Sequence, residues 1–524
     1  GRIYTADPAQ PWAEALASHE GRILAVGSNT DRQSTAGPGT KHVHAGGHLI
    51  LPGLIDAHVH FLQYAIRRQQ IPLFGVSDFK QVQQMVADAA EQAQPGQWII
   101  GWGWDENLWD IKPHARHLDT VAPQNPVVLA RMDMHTWWVN SAVLQQAQIR
   151  PETANPPESV IERDANGHPS GLLREWNAIA LVEPLIPQPD TNTQLSWLRE
   201  ALAEAHQLGL TGFHDQRVEK EGKLSLRLFQ ELHHQGELKH RVHSNIAADF
   251  IAEAATLGLQ PGLGDDQLWL GHMKAFADGS MGSLTALMLE PFANAPDNRG
   301  LAVTPKDELW ELARRAAEAG FPLSVHAIGD KAVRDILDVF SELETLNLAA
   351  KVALPQRIEH VQLIHPTDLG RLAQQNIVAS VQPEHLQSDW ATADRVWGER
   401  ARTTYAFRAL LDQGTRLAFG SDAPVAPLDP MLGIAAAVTR QDEAGLPRGG
   451  WYPEERITVA EAVHAYTMAP AYLAGKANRF GSLTPGKWAD FIILAQDIFA
   501  VPAEAIIETT IDQTFFAGEL LFSR

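Results

Sequence analysis

The chain has 524 residues, 22 His, no Cys and a net charge of −21. The missing Cys excludes a disulfide framework, a cysteine nucleophile, thiolate zinc and iron–sulfur chemistry, so a tightly held transition metal must use His, carboxylate or a modified side chain. The acidic balance argues against nucleic acid and anionic membrane as partners, and no apolar run reaches the ~18–20 residues of a membrane-crossing helix.

In chain order, residues 1–50 read as short strands. Ala15-Leu16-Ala17 and Ile23-Leu24-Ala25-Val26 are separated by turn signals at Glu20-Gly21 and Gly27-Ser28. Residues 480–524 have the same texture, for example Phe491-Ile492-Ile493-Leu494. Each end is too short to bury a sheet face alone, so the two are expected to combine in one small β-sandwich domain. The chain begins at Gly1 rather than Met and enters Arg2-Ile3-Tyr4-Thr5 at once. A preceding segment is therefore expected to be missing; the expected location is cytoplasmic, with a secretory signal left open.

Residues 51–479 are expected to form the main domain. Leu49–His60 is strand-like, and an insertion of roughly 130 residues follows it before the next barrel unit begins, far more than one helix and a turn need. This insertion, at about 63–190, holds a predicted helix over Ser77–Ala93, strands over Trp98–Trp104 and Val127–Asp133, and a hairpin at Asp164-Ala165-Asn166-Gly167. After the helix-periodic Leu195–Leu208, strands and helices alternate through Thr211–Asp215, His240–Ala247, Trp269–Phe276, Phe321–His326, Gln356–Ile364, Asn376–Gln382 and Arg416–Phe419. With Leu49–His60 these make eight βα units, the pattern of an α/β (β/α)8 TIM barrel whose site lies at the strands' C-terminal ends.

His58 and His60 end the first strand at i, i+2 spacing, which puts both imidazoles on one strand face. Two neutral imidazoles there can chelate a divalent metal. His42-Val43-His44 has the same spacing outside the barrel and reads as a surface pair. His326, His360 and Asp422 stand at the ends of the fifth, sixth and eighth strands. Singly each reads as a hydrogen-bonded core His or a turn carboxylate; together with His58 and His60 they read as a ligand set. Lys274 on the fourth strand is either paired with a carboxylate such as Asp278 or a neutral amine that CO₂ converts to a carbamate. Glu359 beside His360 is a partner for a ligand or a surface ion-pair member.

These segments resemble the amidohydrolase superfamily, and within it amidohydrolase family 3, which includes N-substituted formamide deformylase-like proteins. The resemblance spans nearly the whole chain. It rests on Pro52-Gly53-Leu54-Ile55-Asp56-Ala57-His58-Val59-His60, Gly101-Trp102-Gly103-Trp104-Asp105, Lys274-Ala275-Phe276-Ala277-Asp278-Gly279-Ser280, Val325-His326-Ala327-Ile328-Gly329-Asp330, Arg357-Ile358-Glu359-His360, Val381-Gln382-Pro383-Glu384-His385 and Gly420-Ser421-Asp422-Ala423-Pro424-Val425. It implies metal ligands at His58, His60, His326, His360 and Asp422, with Lys274 in the place of a carboxylated bridging lysine. One departure is Leu284, where related sequences often carry Arg.

The expected function is metal-dependent hydrolysis of a non-peptide C–N bond (amide, N-acyl, N-formyl or cyclic amide) by metal-activated hydroxide, with Asp422 as the proton shuttle. One or two divalent ions are expected, zinc first. The alternatives are a deaminase or an ester or phosphotriester hydrolase on the same scaffold, and a metal-bound binding protein without turnover. Six of the 15 Trp fall within Trp98–Trp138. They read mainly as the insertion's core, with Trp104 or Trp138 reaching the barrel mouth. Trp104, His135, Gln382 and His385 are the expected contacts for a small amide-like substrate, hydrophobic or aromatic in character. Homo-oligomerisation is left open.

Overall fold

A computed structural model describes residues 1–30, 36–132, 135–217 and 221–524. The chain divides into two compact units, Gly1–Tyr64 with Arg199–Arg524, and Ala65–Leu198.

The first unit is built on eight parallel strands, each hydrogen-bonded to the next in sequence: β1 (Leu54–Val59), β2 (Leu210–Asp215), β3 (Arg241–Ala247), β4 (Leu268–Phe276), β5 (Leu323–Ala327), β6 (Arg357–His360), β7 (Val378–Val381) and β8 (Leu417–Phe419). Helices such as Leu224–His234, Lys306–Glu318 and Asp330–Thr345 follow the strands. This is the (β/α)8 barrel. Its seam between β8 and β1 closes just beyond the strands, where Asp422 N donates to His58 O (2.7 Å) and His60 N to Ala423 O (2.9 Å). The Asp56 carboxylate adds to the closure by accepting from His58 N, Ser421 N and Ser421 Oγ. A Cβ on Gly420 would lie 2.3 Å from His58 N, so only glycine permits this approach.

The expected strand Leu49–His60 is two strands. Leu49–Pro52 pairs with Arg2–Tyr4 and Phe491–Leu494 in a six-stranded sheet drawn from both chain ends, and β1 starts after Gly53. Thr211 presses on the Gly53 backbone; a Cβ there would meet its Oγ1 at 2.2 Å. The hairpin Ala15–His19/Arg22–Gly27 shares with the six-stranded sheet a core that includes Ile3, Ile23, Ile493 and Phe515. His42 and His44 are exposed and lie outside any strand.

The second unit carries its own six-stranded sheet. Ile71–Pro72, Ile99–Trp104 and Val127–Arg131 run parallel, followed by antiparallel Thr136–Val139, Pro169–Arg174 and Val160–Arg163. The predicted helix is present at Phe79–Gln92, capped by the Asp78 side chain. The predicted end of the strand at Asp133 lies outside the described residues. Trp98, Trp102 and Trp137 belong to one apolar cluster of this unit, and Trp104, Trp109 and Trp138 to another. Among the described residues, no helix is long and apolar enough to cross a membrane.

Candidate metal centre

β1 delivers His58 and the residue after it, His60, to the C-terminal end of the barrel. The seam bonds bring Asp422 against both: Asp422 Oδ1 is 3.3 Å from His58 Nε2 and 3.4 Å from His60 Nε2. These three form a group whose ligand atoms all lie within 4.8 Å of one another. His360, His385 and Asp422 form a second such group. His360 and Asp422 both stand in left-handed backbone conformations, φ 72° and 60°. That is uncommon for non-glycine residues and is the kind of strain that collects at functional sites. It also explains why β6 stops at His360 instead of running to Ile364, since Val361 follows with φ 44°.

The partners of each imidazole fix which nitrogen is available. His58 Nδ1 donates to Glu359 Oε2 at 2.6 Å, and Nε2 is buried with no hydrogen-bond partner among the described residues. A carboxylate behind an imidazole in this way fixes the tautomer and raises the basicity of the free nitrogen. Glu359 is itself fully buried and paired with Arg357, whose guanidinium also donates to Ala57 O and Ser380 Oγ. Burial alone would raise the Glu359 carboxyl, but Arg357 and His58 hold it well below the usual carboxylate range. Glu359 is therefore not a surface ion-pair residue. His360 Nδ1 donates to Gln382 Oε1 at 2.8 Å, which leaves Nε2 as its lone-pair nitrogen. His326 Nε2 donates to Gly279 O at 3.0 Å, which leaves Nδ1. The His326 and His360 rings are 4.4 Å apart. Burial keeps both neutral: His326 is pulled down to about 4 and His360 well below the imidazole range.

Lys274 on β4 is buried, and its Nζ has no hydrogen-bond partner among the described residues. Burial lowers its pKa to about 8. Asp278, the carboxylate weighed as its partner, accepts instead from the backbone N–H groups of Leu287, Ile328 and Gly329. Burial would raise the Asp422 carboxyl, but the His58 imidazole beside it holds it well below the usual range, so it is an anion at neutral pH. Orphaned buried atoms on His58, Lys274 and His385, neutral imidazoles and one carboxylate anion make a nitrogen–oxygen donor set that fits a divalent transition ion.

The remaining expected contacts divide. Gln382 and His385 are buried just beyond the end of β7, with Gln382 Nε2 and His385 Nε2 unpartnered among the described residues. Trp104 corrects the sequence reading. It has no exposed surface and donates Nε1 to Leu129 O inside the core of the second unit, so no ring face is open to a substrate. Trp138 is equally buried. His135 lies on the surface of the second unit, with Nδ1 2.8 Å from Glu175 Oε2.

The sequence profile described as the amidohydrolase family matches residues 41–522. The chain belongs to the amidohydrolase family. Protein LONG AFTER FAR-RED 3 of Arabidopsis thaliana is 36% identical over 510 residues, covering 94% of this chain and 86% of that protein. The N-substituted formamide deformylase of Arthrobacter pascens is 26% identical over 545 residues, 100% of this chain and 97% of that enzyme. An uncharacterized metal-dependent hydrolase from Pyrococcus horikoshii OT3 superposes with a TM-score of 0.80 at 26% identity, covering 96% of this chain and 97% of that one. This member of the amidohydrolase family is thus a metal-dependent hydrolase for a small-molecule substrate. Sequence reasoning overlooked Asp56 and Arg357. Asp56 shares strand parity with His58 and His60, a signal that was available; Arg357 is two residues before Glu359 in the same motif.

Proposed function

We propose that this amidohydrolase-family member hydrolyses a C–N bond in a small amide-like molecule. The observation that carries the reading is the buried Asp422 carboxylate, shared at 3.3 and 3.4 Å by two imidazole nitrogens. The name of the Arthrobacter relative supports the bond type. A divalent ion, zinc first, held by His58, His60 and Asp422, with His326, His360 and a Lys274 carbamate as the ligands of a further ion, would supply Lewis-acid activation of water and of the carbonyl.

The chain's own residues do the rest. Asp422, kept ionised by its imidazole neighbours, takes a proton from the attacking water and returns it to the leaving nitrogen. Glu359 holds the His58 proton on Nδ1. The unpartnered Nε2 amide of Gln382 is a donor for the substrate's carbonyl oxygen as negative charge develops there.

Two measurements test this. Asp422→Asn is expected to lower kcat/KM by about 10²-fold or more, the scale of a lost general acid–base group; near-normal turnover would remove Asp422 from that role. Metal-loaded protein should turn over members of a panel of N-formyl amines, N-acyl amino acids and cyclic ureides. Activity confined to aryl esters, or none across the panel, would overturn the C–N assignment.

A further inference from the structure

We infer that the N-terminal end of the barrel carries a separate binding site, for a small organic ammonium ion with an apolar body. The site is a cavity of about 580 Å³, within the roughly 300–1,000 Å³ of small-molecule pockets. It is lined by the segments that enter two strands: Pro355 and Gln356 precede β6, and Asn376 and Ile377 precede β7. It therefore lies at the opposite end of the barrel from Asp422. Three helices end on it. Leu343 and Glu344 stand in the last turn of Asp330–Thr345, Gln375 follows Leu369–Gln374, and Gly475 comes shortly after Met468–Leu473. Gly475 has φ 67°, and a Cβ there would lie 2.6 Å from Leu354 Cδ2, so glycine lets the chain close in beside Leu354.

The lining selects the sign of the ligand. Phe340, Leu343, Val352, Leu354 and Ile377 supply apolar walls. Glu344 is the one charged side chain among the lining residues. Lys351, between the lining residues Ala349 and Val352, belongs to a different hollow with Arg315 and Glu318. Arg416, not itself a lining residue, donates to Asn376 Oδ1 at 3.0 Å and lies 4.2 Å from the Tyr472 ring centroid, so it is already engaged. The negative end of the Asp330–Thr345 dipole adds to the Glu344 charge. Gln375 Oε1 is buried with no hydrogen-bond partner among the described residues, and an acceptor left in that state costs free energy until a donor meets it. A carboxylate, a helix C-terminus and an orphaned acceptor all call for a cationic N–H donor, and the walls call for a hydrocarbon body.

Crystals soaked in para-bromophenethylamine, an ammonium at neutral pH, locate the ligand by anomalous diffraction at the bromine edge. A bromine peak is expected among Phe340, Leu354 and Ile377. No peak there, or a peak only at the metal centre, would overturn the inference. Equilibrium dialysis against phenethylamine, phenethyl alcohol and phenylacetate reads the preference for charge. The amine should bind at least about 10-fold more tightly than the alcohol, and the acid most weakly of the three. Gln375→Met should weaken amine binding by about 10-fold or more, the scale of a lost hydrogen bond to a charged group, and Glu344→Gln by about 2–5-fold, the scale of an exposed ion pair. Ala353→Trp, which fills the cavity, should abolish it. Equal affinity for the three ligands, or amine binding that neither Gln375→Met nor Ala353→Trp weakens, would also overturn the inference. The wild-type bromine map gives the answer even if a variant does not fold. None of these readouts involves a metal ion, so the proposed hydrolysis stands or falls separately.

Discussion

At the scale of single residues, the most constrained group in the site is not a candidate ligand but Glu359. Its carboxylate stands between the Arg357 guanidinium and His58 Nδ1, and Ser324 Oγ donates to it as well. Glu359→Gln keeps the shape but removes the charge. The His58 imidazole then loses the anion that strengthens its free nitrogen, and divalent-metal affinity is expected to fall about 10–100-fold. Arg357 is left buried without its counter-charge, so stability should fall too, by about 3–5 kcal/mol. Competition dialysis on the folded variant checks the first effect and urea unfolding the second; metal binding at wild-type strength would separate Glu359 from the site. In the sequence Glu359 is visible only as the neighbour of His360. Its true partner is 301 positions away, and no local pattern states that barrel register brings them together. The candidate ligands were easier to read because each sits at a strand end, where alternation and topology together say which way it faces.

At the scale of elements, the eight strands were legible from alternation and turn chemistry, while their ends were not. The apolar run through Leu49–His60 reads as one strand because hydrophobicity is continuous across Gly53. The break comes from a tertiary contact, Thr211 against the Gly53 backbone, that no local signal reveals. β6 shortened for a comparable reason, the left-handed turn at His360 and Val361. The seam between β8 and β1 makes a mechanical demand on Gly420. Gly420→Ala would drive a Cβ into His58 N at 2.3 Å and Asp56 Oδ1 at 2.7 Å. Backbone cannot yield as a flexible side chain does, so β8 must move away from β1 and take Asp422 with it. The expected result is a loss of about 1–3 kcal/mol in stability together with weaker metal binding, measured by thermal melting and dialysis on the same sample. A stability loss with intact metal affinity would show that the seam does not set the position of Asp422.

At the scale of the whole molecule, the 22 His serve two purposes. A few surround Asp422, but several others are buried away from it, among them His206 and His240, whose rings stack at 3.9 Å. Burial pulls His206 down to about 4, and its Nε2–H donates to Lys239 O, so it is neutral in the folded protein at neutral pH. In the unfolded chain it titrates near 6.5. Its contribution to stability is therefore fully present above pH 6.5 and is lost as the pH falls through the folded value near 4, because over that window the unfolded chain binds a proton that the folded one refuses. Buried carboxyls work in the opposite direction: burial raises Asp278 to about 7 and Glu221 to about 8, so their contribution is lost as the pH rises. The pH profile of the wild type alone thus mixes the two, and a difference between variants isolates one. His206→Asn removes the titration while keeping a donor for Lys239 O. The stability advantage of wild type over this variant should be largest above pH 6.5 and shrink towards pH 4, by up to about 1.4 kcal/mol per pH unit where the slope is steepest. Urea unfolding of both proteins at pH 7.5, 5.5 and 4.5, at one fixed metal concentration, measures it. A difference that stays constant across the three pH values would mean that His206 takes up its proton in the folded protein over the same pH range as in the unfolded chain, against the burial that keeps it neutral.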